Sequence, residues 1–196
     1  HERWRGLSPA HLRWMLTTFH MSPWQPLSWL SYALDHAVWG LEPFGYHLTN
    51  LLLHGANAGL FFLVVRLLLA ASARAPAGGE APPADHESLE PAAFFAALFF
   101  AVHPLRTESV AWVTERRDVL CGFFYLATVL AWLRSGQDRG RSAGRWRRAA
   151  LAAYVPALLS KSAAVTLPLA LLILDVYPLR RLPPDPREWG EAPWRG

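Results

Sequence analysis

The dominant feature of the hydrophobic pattern is a run from Tyr46 to Val65, in which twenty residues pass without one Asp, Glu, Lys or Arg. At 1.5 Å per residue, such a run matches a hydrocarbon core of about 30 Å. Four more apolar blocks follow, so membrane spans are predicted at about 46–69, 91–105, 119–133, 146–160 and 162–177. The later blocks are shorter and need their polar flanks, or a thin protein-packed site, to cross. The last two could form one helix with Lys161 near its middle, but an unpaired lysine at mid-bilayer costs about 3 kcal/mol. A turn at Lys161 avoids that cost, so five crossings are expected.

Residues 1–45 read differently. Ser8 is placed to cap a helix with Pro9 at its first position, followed by Leu12, Met15, Leu16 and Phe19 at helical spacing. A second stretch from Pro26 to Leu41 sets Leu27, Leu30, Leu34, Val38 and Leu41 along one side. Trp14, Trp24, Trp29 and Trp39 accompany these stripes, a composition that favours helices lying at the headgroup boundary. Two helices of a soluble core are the alternative.

Composition sharpens this picture. Of 196 residues, 53% are hydrophobic and 17% charged, against about 25% charged in an average soluble domain. Disordered, collagen-like and disulfide-scaffold classes are excluded, and a membrane protein is implied. The net charge of +4 comes from 19 basic residues of which only Lys161 is not Arg. The loop 134–148 holds Arg134, Arg139, Arg141, Arg145, Arg147 and Arg148, and the tail adds Arg180, Arg181 and Arg187. Both belong on the cytoplasmic side by the positive-inside bias, a placement unlike a nucleic-acid surface. The parity of five spans then puts residues 1–45, 103–118 and the Lys161 turn on the outer face. The Ala-, Pro- and Gly-rich loop 72–90 becomes a flexible cytoplasmic connection. The domain reading is an outer-face segment 1–45, a transmembrane bundle 46–177 and a cytoplasmic tail 178–196. Cys121 is the one cysteine, so no disulfide or cysteine-based metal site is available. With His1 in place of Met, the chain reads as an internal fragment of a longer multi-pass membrane protein.

Three groups of polar residues stand out against this background. His47, Asn50, His54 and Asn57 form one stripe on the first span. It lines either a cavity or, as the simpler alternative, an interhelical hydrogen-bonded contact. The run 103–118 brings His103, Arg106, Glu108, Glu115, Arg116, Arg117 and Asp118 to the outer boundary. Guanidinium groups can grip phosphate bidentately while carboxylates orient them; a solvated loop with ion pairs is the alternative. Lys161 can offer a point charge to a lipid phosphate or snorkel as an anchor. An anionic, lipid-linked substrate suits the combination.

The ordered motifs Tyr46-His-Leu-Thr-Asn-Leu-Leu-Leu-His54, His103-Pro-x-x-Thr-Glu108 with Arg116-x-Asp118, and Ser160-Lys161 before a span ending Leu174-Asp175 carry a family likeness. They resemble the membrane region of the transmembrane and tetratricopeptide-repeat O-mannosyltransferases and their bacterial relatives, of the GT-C glycosyltransferase superfamily. The resemblance covers most of residues 10–182. It implies an all-α GT-C-like bundle that transfers a mannose-like sugar from a polyprenyl-phosphate donor to an acceptor hydroxyl on protein, with inversion. It also implies tetratricopeptide repeats downstream. Lys161, Arg116 and Arg117 would hold the donor phosphate, with Asp118 and Glu108 orienting them and His103, His47, Asn50 and His54 lining the pocket. The family's acidic motif of the first outer loop is not present, so the catalytic acid is expected upstream of His1, with Asp35 a weak substitute. No metal ligands are assigned within the chain; a divalent cation, if used, would be held by residues outside it, so the fragment alone is expected to be inactive. Membrane lipids, the donor and a protein acceptor are the expected partners. A transporter or channel, or a non-catalytic anchor for the repeats, are the alternatives.

Overall fold

The computed structural model describes residues 3–20, 24–74, 86–138, 140–183 and 185–189. Eight α-helices account for most of them, and no strand occurs among the described residues. Ser8 caps α1 (Pro9–Thr17) through the backbone N–H of His11, with Pro9 at the first helical position. A second helix, α2 (Pro26–Trp39), again starts on a proline. The long α3 (Pro43–Arg74) and α4 (His86–Val102) pack side by side. Most of the loop expected over 72–90 lies outside the described residues, as do Arg139 and the end of the tail.

Where a span over 91–105 is predicted, α4 ends at Val102, because Pro104 disfavours helical backbone at His103, which is extended. Short 3₁₀ turns at Pro104–Arg106 and Val113–Glu115 flank α5 (Thr107–Ala111) and lead into α6 (Arg116–Ser135). α7 (Arg141–Ser160) packs along α6. The chain breaks at Lys161, which is extended (φ −156°, ψ 137°), before a 3₁₀ turn at Ser162–Thr166 and α8 (Leu167–Val176).

Two stretches, Pro43–Ala73 and Val113–Ser135, are long and apolar enough to cross a membrane, and only 11% of the most apolar window of the first is buried. A core helix of a soluble protein would hide such a surface. Leu52, Phe95, Phe99, Leu151, Leu169 and Ile173 all face outward, while the interior holds Asn50, Arg116, Thr128 and Ser160. The same inversion occurs in α2: Leu34 and Val38 of the apolar stripe are exposed, as is Leu41 just beyond the helix, whereas Ser28 and Asp35 are buried against the bundle. Apolar exterior and polar contacts inside are the arrangement of an all-α membrane bundle. The small core of Val64, Leu67, Val129, Leu133 and Leu167 joins α3, α6 and α8. At that end Asp175 accepts from Trp132 Nε1 (3.1 Å) and Arg181 Nη1 (2.9 Å), tying α8 to α6 and to the chain beyond it.

Candidate functional site

The N-terminal turn of α6 is held by its own first residue. Arg116 has no exposed side-chain surface and lies 2.7 Å from Asp35 of α2. Its Nη2 also donates to the Tyr46 carbonyl (2.7 Å), its Nε donates to Asn50 Oδ1, and its guanidinium sits 5.3 Å from the Tyr32 ring centre. The amide of Asn50 donates to the carbonyls of Val110 and Trp112, and Thr49 donates to Asp35. This network locks α2, α3, α5 and α6 together. Burial and pairing therefore take Arg116 away from the phosphate contact expected of it, and commit the Asp35 carboxylate to a structural ion pair. Asn50 belongs to this brace and not to a pocket wall.

The polar stripe of α3 is real in most of its length, but its first member is displaced. Tyr46, Asn50, His54 and Asn57 turn inward, whereas His47 is exposed. His54 Nε2 lies 2.9 Å from the Ala101 carbonyl, and Asn57 donates to the Val119 carbonyl at 2.9 Å. Gly122 of α6 permits that approach: a Cβ there would stand 3.2 Å from Asn57 Nδ2.

A cleft of about 770 Å³ opens between α3, α4 and α6. Its body is apolar and aromatic, with Phe61, Ala96, Phe99, Phe100, Tyr125 and Leu126. At one end it turns polar, with His103, Arg106, Ser109 and Asp118. Arg106 lies 4.6 Å over the Phe100 ring, and His103 meets Phe99 edge-on at 4.9 Å. Asp118 accepts from the Lys161 ammonium, so the lysine predicted for the site reaches its rim from the α7–α8 break. Beyond Asp118 the charges continue: Arg117 Nε is 4.0 Å from Asp118, and Arg117 holds Glu115 through two hydrogen bonds of 2.8 and 3.3 Å. Lys161 and Asp118 are partly open to solvent, at 34% and 26% exposure, unlike the sealed Arg116. Glu108 is exposed and does not line the cleft.

Asp35, Glu115 and Asp118 thus each have a cation of their own, in Arg116, Arg117 and Lys161. Among the described residues no three His, Cys, Asp or Glu converge on a point that could hold a metal ion.

The chain has relatives among known proteins. Human protein O-mannosyl-transferase TMTC2 is 37% identical over 123 residues, 63% of this chain. The Drosophila melanogaster Tmtc3 protein is 39% identical over 119 residues, and the Xenopus laevis tmtc2 protein is 30% identical over 161 residues, 81% of the chain. The chain belongs to the TMTC family. It spans only 13–17% of the length of these relatives. No protein-family model and no solved structure matches it.

In this TMTC-family chain, Ser109 lines the cleft although the sequence does not single it out, and Arg106, placed in the polar run but given no role there, lines it too. The signal was there: Arg106 follows His103-Pro by two residues, and one 3₁₀ turn brings both to the same rim. Arg117, by contrast, is turned away from the cleft by the helical step that buries Arg116.

Proposed function

We propose that this chain is the membrane-embedded donor-binding part of a glycosyltransferase that moves a mannose-like sugar from a polyprenyl phosphate to a hydroxyl of a protein. The observation that carries the reading is the α3–α4–α6 cleft. An apolar trough running into a rim of His103, Arg106, Asp118 and Lys161 matches a ligand with a long hydrocarbon tail and an anionic head. The names of the relatives, all protein O-mannosyl-transferases, supply the reaction class and the acceptor.

In the transfer, the acceptor oxygen bonds to the anomeric carbon as the bond from that carbon to the phosphate oxygen breaks. Negative charge accumulates on the departing polyprenyl phosphate. Lys161 and Arg106 are the cations nearest to receive it, and a charge placed before the reaction stabilises the transition state without reorganisation. Asp118 orients Lys161. Arg116, through Asp35 and Asn50, fixes the position from which α6 presents Asp118. The general base is not assigned to a residue of this chain, because Asp35 is committed to Arg116 and Thr49. The rim lies on the outer, periplasmic face of a multi-pass protein of the bacterial inner membrane, by the arginine asymmetry, and the GT-C class follows from the motif resemblance.

The test is sugar transfer from a polyprenyl-phosphate mannose to protein by the full-length enzyme in liposomes. Lys161→Ala abolishes transfer with membrane insertion intact; unchanged transfer overturns the reading.

A further inference from the structure

A groove of about 370 Å³ runs between α6, α7 and α8 and shares only α6 with the donor cleft. That volume falls within the range of ligand sites. Its floor is Thr128, Ala150 and Leu167, all buried, and its sides are Leu151, Tyr154, Leu171 and Leu172. Leu151 is 66% exposed, so the groove opens onto the apolar exterior of the bundle. In a membrane protein that exterior faces lipid.

The polar groups of the groove are few, and most are committed. Thr128 Oγ1 donates to the Phe124 carbonyl at 2.7 Å, and Asp175 accepts from Trp132 and Arg181. Arg147 is the exception. It lines the groove, is exposed, and pairs with no carboxylate among the described residues. At 1.5 Å per residue it stands about 20 Å along α7 from Lys161, so it belongs to the opposite side of the bundle. Arg141, Arg145 and Arg148 are exposed beside it in the first turns of α7. The nearby carboxylate of Asp138 is turned to Ser142 Oγ (2.8 Å) and Trp146 Nε1 (2.9 Å). An apolar trough therefore ends in positive charge that the described residues do not neutralise.

We infer that this groove binds an anionic glycerophospholipid, with an acyl chain along Tyr154, Leu167 and Leu171 and the phosphate on Arg147. A guanidinium grips a phosphate bidentately, and basic pockets between helices on the cytoplasmic side are places where acidic headgroups bind. The arginine-rich side of this bundle is the one read as cytoplasmic. A free inorganic anion would leave the trough uncovered, and a ligand rich in hydroxyls would find its polar groups already paired. A lipid of the same leaflet covers both the trough and the charge. The inference does not depend on the transferase reading, because the groove and the Lys161–Asp118 rim lie at opposite sides of the bundle.

The experiment uses the full-length protein in phosphatidylcholine nanodiscs holding a trace of phosphatidylglycerol with a diazirine in its acyl chain. A parallel sample holds the matching phosphatidylcholine probe. After illumination, peptide mapping is expected to place the phosphatidylglycerol label on Leu151, Tyr154 and Leu171, at several times the level of the phosphatidylcholine label. Excess unlabelled phosphatidylglycerol suppresses it, and excess polyprenyl phosphate does not. Arg147→Gln, at an exposed position where folding is not at stake, lowers the phosphatidylglycerol label about fivefold, the effect of one arginine near an anionic lipid. The phosphatidylcholine label stays unchanged in that variant. Leu172→Trp, which narrows the trough, lowers both labels. Equal labelling by the two probes reduces the groove to ordinary lipid contact and overturns the inference. So does a groove free of label, which another segment of the full-length chain then covers, or a phosphatidylglycerol label unchanged in Arg147→Gln. Suppression by polyprenyl phosphate gives the groove to the donor and overturns it as well. Sugar transfer is not the readout, so equal labelling or an unlabelled groove leaves the transferase reading standing.

Discussion

Arg116 and Asp35 meet at 2.7 Å inside the bundle, joining the first residue of α6 to the middle of α2, and the arginine has no exposed side-chain surface. Two charges removed from solvent together are tolerated; one left alone is not. Asp35→Ala is therefore expected to cost about 3–5 kcal/mol, the penalty for stranding a buried guanidinium. Thermal unfolding in detergent checks it. The double substitution Asp35→Leu with Arg116→Met should recover much of the loss, since replacing a buried pair by apolar residues is often neutral.

Asp118 holds Lys161 at the rim of the cleft. Asp118→Asn keeps the size of the side chain and removes the charge that fixes the ammonium. The expected result is a rise of about tenfold in KM for the donor, or about 1.4 kcal/mol, with a smaller change in kcat. Steady-state kinetics with varied polyprenyl-phosphate sugar separate the two, and an unchanged donor KM would remove Asp118 from the positioning role.

Gly122 sets the spacing of α3 and α6. A Cβ at this position stands 3.2 Å from Asn57 Nδ2, and the Asn57 bond to the Val119 carbonyl depends on the same approach. Gly122→Ala requires a shift of only a few tenths of an ångström and is expected to be well tolerated. Gly122→Val overpacks the contact and should cost about 1–3 kcal/mol. Melting of the two variants beside the wild type reads the difference.

Tyr32 donates to the Val113 carbonyl at 2.8 Å. Burial pushes its phenol up from an ordinary value of 10.0 to about 12, against the opposing pull of Arg116. A pKa raised on folding favours the protonated form in the native state. That stabilisation is complete below pH 10 and is lost as pH rises through about 12. The loss of stability across this window should shrink in Tyr32→Phe, and the phenolate absorbance of the native protein should lose a late-ionising component in the same variant.

The sequence pattern reveals the helices well and their partners poorly. Ser8-Pro9 sets the start of α1, Pro104 ends α4, and the apolar blocks mark α3, α6 and α7, because each signal acts on its own neighbours in the chain. The polar stripe of α3 is legible for the same reason, yet its first inward member is Tyr46 and not His47. One helical step is about 100°, and the periodicity alone tolerates either choice. The same step decides between Arg116 and Arg117: the first faces Asp35 and Asn50 across the bundle, and the second faces Glu115 and solvent. Those partners lie 81 and 66 residues away from Arg116 in the chain (116 − 35 and 116 − 50), so no local rule chooses between two adjacent arginines.

The central claim is that the cleft between α3, α4 and α6 holds the lipid donor. Photo-crosslinking measures this directly, with a polyprenyl-phosphate sugar carrying a photoreactive group near the start of its tail, added to the full-length protein in liposomes. Peptide mapping should place the label on residues such as Phe61, Ala96 and Leu126 of the cleft, with labelling suppressed by excess unmodified donor. Competed labelling instead on the apolar groove of Thr128, Tyr154 and Leu171 between α6, α7 and α8, or labelling that excess donor leaves unchanged, would contradict it.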